Sequence, residues 1–179
     1  GIDTFLNFRN EGHSEMTIAK YIRDDDIEKF TVFVSPENFD LNMKIPLSIF
    51  ESNSLLQSEP TLIEYACFFG SIKIFKFLWL NEVEIDKRIF QFTIAGKNLE
   101  IIHIIENKCK VDNNEEQKKD KKGRKRFRNI NNNLLEIDND VLIAAIEFQQ
   151  PEVFEYFIEK YNFLSLSNIM IPKIIEKHN

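Results

Sequence analysis

The chain has 179 residues, 43% of them hydrophobic, which is enough for one domain with its own core and too few for two large ones. Seventeen Phe against five Gly and five Pro favour helices packed through large side chains over a many-turned β fold. The formal charge of −6 hides a split: residues 113–128 hold eight Lys or Arg against three acids, so an acidic body carries one basic insert.

Cys67 and Cys109 are the only cysteines and form no CxxC pair. Neither a disulfide framework nor a zinc knuckle fits them, and a reduced, intracellular setting is expected, the cytoplasm first. No basic-then-apolar leader opens these residues. The most apolar stretch, residues 72–80, is short and interrupted by Lys73 and Lys76, so no membrane span is expected.

In chain order, residues 17–23 form a short apolar stretch that ends in Asp24-Asp25-Asp26. Acids at this place suit the N-terminus of a helix beginning at Ile27, through its dipole and its free N–H groups, better than they suit a metal. The segment 27–33 then begins a pattern that returns at 72–78, 99–105 and 151–157: positions one, three, four, six and seven are apolar, and positions two and five are polar. Eighteen of the 20 apolar places comply, Lys29 and Pro151 being the exceptions, and all eight polar places are polar. Composition alone would fill about nine of the apolar places. At 100° per residue the pattern is a helix with one narrow polar side, covered by several neighbours.

Each such helix follows a shorter apolar stretch, at 17–23, 61–69, 89–95 and 141–148, and the breaks between them carry turn chemistry: Gly70-Ser71, Gly96 to Asn98, and Gln150-Pro151. The unit is therefore a helix pair, repeated four times. Short extended fingers are expected after the second helices, at Phe39-Asp40-Leu41-Asn42, at Val83-Glu84-Ile85-Asp86 and, more weakly, at Cys109-Lys110-Val111-Asp112. An extra short helix is expected near residues 46–50 and a closing helix over 167–177, with Pro172 kinking or delaying it. A helix pair cannot bury its own apolar face, so stacking of pairs into an all-α solenoid spanning 1–179 is the expected architecture.

Thr61-Leu62-Ile63-Glu64-Tyr65-Ala66-Cys67-Phe68-Phe69-Gly70-Ser71, followed by Ile72-Lys73-Ile74-Phe75-Lys76-Phe77-Leu78, resembles the core of the ankyrin repeat. Thr61, Ala66, Gly70 and Leu78 match that pattern, and Val83-Glu84-Ile85-Asp86 stands where ankyrins carry their finger. The likeness runs from about Ala19 to Phe157 and is closer still to a divergent, Phe-rich group of ankyrin-related proteins from single-celled eukaryotic parasites. Leu62 replaces the family Pro, Glu64 replaces the family His, and the pattern recurs after 45, 27 and 52 residues rather than the usual 33 or so. The resemblance implies a non-enzymatic, monomeric scaffold that binds a protein partner. It places Phe68 and Phe69, with Glu64 on the same helix, on the inner face where such proteins bind. Packing against neighbouring repeats is the competing role for both rings.

The run Lys118, Lys119, Lys121, Lys122, Arg124, Lys125, Arg126 and Arg128 reads as a solvated insert within a loop over 113–133. A nuclear or nucleic-acid-associated role is the alternative that this run supports. His13, His103 and His178 are scattered, Cys67 lies on an apolar face, and no phosphate loop, GxSxG or carboxylate pair is present. Neither a metal, a cofactor nor a catalytic residue is expected.

Overall fold

The four apolar patterns fold as helices, each paired with the shorter helix before it. A computed structural model describes residues 2–115 and 139–161, with side chains at 2–108 and 141–160. The chain divides into two compact units, Gly1–Ile85 and Asp86–Asn179. The first contains α1 (Ile2–Glu11), α2 (Thr17–Arg23), α3 (Ile27–Val34), a 3₁₀ turn at Leu56–Ser58, α4 (Leu62–Phe69) and α5 (Ile72–Leu80). The second contains α6 (Ile89–Gly96), α7 (Leu99–Glu115), α8 (Asn139–Glu147) and α9 (Pro151–Tyr161). No strand occurs among the described residues, only an isolated antiparallel bridge between Lys44 and Thr61.

Burial follows the sequence pattern. Ile74, Phe75 and Leu78 of α5, Ile101, Ile102 and Ile105 of α7, and Val153 and Phe157 of α9 are buried, while Phe154 is half-buried. Lys73, Lys76, Glu100, His103, Glu152 and Glu155, from the two polar columns, all face water. The partner helix α4 is covered on all sides, burying Leu62 through Cys67 without a break. On α3 the apolar columns are less covered: Phe30 is buried but Val32 is 75% exposed.

The strongest internal repetition lies in the backbone of the inter-helix turns. Asp25, Gly70, Lys97 and Gln149 each stand two residues before a second helix, and each has a positive φ, of 47°, 66°, 59° and 54°. The N–H of each bonds back three residues, to Ile22, Cys67, Ile94 and Ile146 respectively. In three of the four, the next N–H reaches the carbonyl five residues back: Asp26 to Tyr21, Ser71 to Ala66, and Gln150 to Ala145, at 3.0, 2.9 and 2.7 Å. This is the left-handed C-terminal stop of a helix, followed at once by the N-terminus of the next.

Side chains knit the turns of the first two pairs together. Asp25 accepts from the N–H groups of Lys73 and Ile74, at 3.1 and 3.0 Å, and so caps α5 from the neighbouring turn. Ser71, whose side chain makes no cap of its own for α5, donates to Ile22 O at 2.5 Å. Asp26 caps α3 locally, through Lys29 N–H at 3.0 Å.

Two expectations need correction. The third finger is helical, because α7 continues through Glu115 with no glycine or proline to stop it and takes in residues 109–112 and the first residues of the expected loop. No helix forms at 46–50: Ser48 Oγ accepts from Phe50 N–H and the Asn53 side chain accepts from Leu55 N–H, local bonds that compete with helical ones. A 3₁₀ turn at Leu56–Ser58 takes its place. The other two fingers form no strand, but they touch: Asn42 Oδ1 accepts from Glu84 N–H at 2.8 Å. The closing helix over 167–177 lies outside the described residues.

Candidate binding surface

α4 ends on Phe68 and Phe69, and the left-handed Gly70 turns the chain away immediately after them. Both rings are half-buried. Phe69 is packed by three aromatic neighbours: Tyr65 at 4.8 Å, Phe68 at 5.1 Å, and the His13 ring, which meets it edge-on at 5.0 Å. Among the described residues Phe68 has one ring partner, Phe69. At similar exposure the two aromatics differ in packing, Phe69 lying among three rings and Phe68 against one.

Glu64 is 5% exposed, and its carboxylate accepts from Thr61 N–H at 2.8 Å while Thr61 Oγ1 accepts from Glu64 N–H at 3.4 Å. That reciprocal capping box starts α4 and gives Glu64 a structural task.

Polar groups surround the aromatic cluster. Arg23 donates to Tyr65 Oη at 3.1 Å, to Ser14 O at 2.8 Å and to Glu11 at 3.1 Å. Burial pushes the Tyr65 phenol up, against the opposing hydrogen bond and charge of Arg23. The buried Glu51 lies 3.2 Å from His13 Nδ1 and also accepts from Asn53 N–H at 3.1 Å.

A second polar cluster, in the other unit, has no counterpart in the sequence reading. Glu106 is 1% exposed and accepts from Tyr156 Oη at 2.7 Å and from Lys160 Nζ at 2.8 Å, with His103 Nδ1 3.5 Å away. Lys160 also donates to the Tyr156 hydroxyl. The hydrogen bonds to Glu106 and Tyr156 hold the Lys160 ammonium above its ordinary value, and burial raises the Tyr156 phenol. At neutral pH the amine is charged and the phenol neutral, so neither is poised as a base. The cluster is a polar bracket between α7 and α9. Two sequence signals pointed to it: Glu106 occupies the place held by Val34, Trp79 and Ile158 in the other repeats, and Tyr156 and Lys160 are four apart on one helix face.

Cys67 is buried in α4. Among the described residues no group of three or more His, Cys, Asp or Glu is placed to hold a metal ion, and no helix is long and apolar enough to cross a membrane. The side chain of Cys109, the eight bases of the insert and His178 lie outside the residues whose side chains are described. Comparison with protein families, with curated proteins and with solved structures finds no match to this chain.

Proposed function

We propose that this chain is a non-enzymatic protein-interaction scaffold, an α-solenoid of irregular ankyrin-type helix pairs that binds an unidentified protein partner through the end of α4. One observation carries the reading: a left-handed residue bonded three residues back joins the helices of all four pairs, and the further five-back bond recurs in three, which is repetition of a supersecondary unit rather than of composition. The bond between the fingers, from Glu84 N–H to Asn42 Oδ1, adds to it, since stacked repeats contact their neighbours at equivalent places. Phe68 and Phe69 supply half-buried aromatics at the end of α4, the residue type enriched in interface hot spots. The reading requires no cofactor and no metal.

Co-purification from the native cell tests it, with Phe68→Ala beside the unaltered chain. The expected result is a discrete set of captured proteins that the variant loses while keeping its helical content. Capture unchanged by the substitution would remove the α4 end as the binding face.

A further inference from the structure

We propose that α1 and the two residues after it form a removable strap over Phe69, placing the α4 face under intramolecular control. This rests on the reading of that face as the binding surface and adds its regulation. α1 buries none of its ten residues and presents Ile2, Phe5 and Leu6 to solvent. A helix built for permanent packing would bury such residues. Among the described residues the strap is held by Glu11 on Arg23 at 3.1 Å, His13 on Glu51 at 3.2 Å, Gly12 O accepting from Ser52 N–H and Oγ at 3.2 and 3.4 Å, and Phe5 and Phe8 leaning on the half-buried Phe50 ring. Beyond it the chain is anchored, since Ser14 is buried and its carbonyl accepts from Arg23 at 2.8 Å.

The receiving groups remain satisfied when the strap lifts. Arg23 keeps Tyr65 Oη and Ser14 O, and Glu51 keeps Asn53 N–H and gains water. Detachment removes the ion-pair partner of each but leaves each with a hydrogen bond from the anchored chain, which favours a reversible cover. Lifting α1 draws the His13 ring off Phe69 and opens that face of the ring.

Amide hydrogen exchange on the full chain reads the strap directly, because the Ser52 amide is bonded to Gly12 O across it and the Phe75 amide is bonded to Ser71 O in the core. Ser52 is expected to exchange at least about tenfold faster than Phe75, through local opening. The double variant Phe8→Ala/Glu11→Ala loosens the strap while leaving His13 and Phe69 in place. It should speed Ser52 exchange by a further fivefold or so with Phe75 unchanged, and raise emission of the apolar dye ANS about twofold. Adding Phe69→Ala should abolish that rise. Ser52 and Phe75 exchanging in step in the unaltered chain would overturn the proposal, and that ratio decides even where the variant fails to fold. No partner enters these measurements, so loss of the strap reading leaves the capture experiment intact, and the reverse holds.

Discussion

At the scale of single residues, environment ranks side chains that composition leaves alike. Phe69, with three ring neighbours, should lose about 1.5–3 kcal/mol on truncation to Ala, less than a fully buried Phe, whereas Phe68→Ala should cost under about 1 kcal/mol. Denaturant unfolding of the two variants measures both, and equal costs would contradict the difference in packing drawn above. The bracket at Glu106 gives a second ranking. Lys160 is 35% exposed in its side chain and can return to water, while Glu106 cannot. Lys160→Met, which strips an ammonium from a buried carboxylate, should therefore cost about 1–3 kcal/mol and exceed Glu106→Gln, which keeps an acceptor for Tyr156. The bracket also sets a pH dependence. Lys160 titrates above its ordinary 10.5 in the folded chain, so its contribution is present in full below the unfolded value and fades as pH rises through the folded one. Tyr156, also raised, acts in the same direction. Stability should fall on the alkaline side, above about pH 10, and fall less steeply in Lys160→Met.

At the scale of the element, what could be read from the sequence was the set of side chains that face the core. The apolar columns located α3, α5, α7 and α9, and the shorter stretches located their partners, because burial selects residue type directly. Backbone geometry left a fainter trace. Of the four left-handed positions only Gly70 announces itself; Asp25, Lys97 and Gln149 do the same work without glycine and look like ordinary polar residues. α1 escaped notice because a helix that buries nothing imposes no pattern. The third finger was misread because an alternation over 109–112 resembles a strand until the absence of a stop before it is weighed. The turns carry their own tests. Lys97→Gly and Gln149→Gly should each stabilise by about 0.5–1 kcal/mol, by relieving a left-handed side-chain residue. Asp25→Ala should cost about 1–2 kcal/mol by uncapping α5, and Asp25→Asn much less, since the amide oxygen still accepts and Asn tolerates the left-handed region. Thermal or denaturant midpoints decide; a stabilising Asp25→Ala would refute the cap.

At the scale of the whole chain, the charge split supplies a function-level prediction independent of the helices. If residues 118–128 direct nuclear import or nucleic-acid contact, replacing the eight bases by Gln should change the cellular distribution or flatten a steep salt dependence of nucleic-acid affinity. If they form a solvated insert, neither changes. The candidate site was legible to the extent that Phe68 and Phe69 end a helix before Gly70. Its polar surroundings were not, because Glu51, Arg23 and His13 reach it from positions 18 to 56 residues before Phe69 in sequence, and such meetings are set by the fold. The claim that the end of α4 meets a partner is tested most directly by a photo-crosslinking residue placed at position 68 in the native cell, with the same residue at the exposed Lys29 as control. The account predicts a discrete protein adduct from position 68 and none of that mass from position 29; identical adducts from both, or none from position 68, would contradict it.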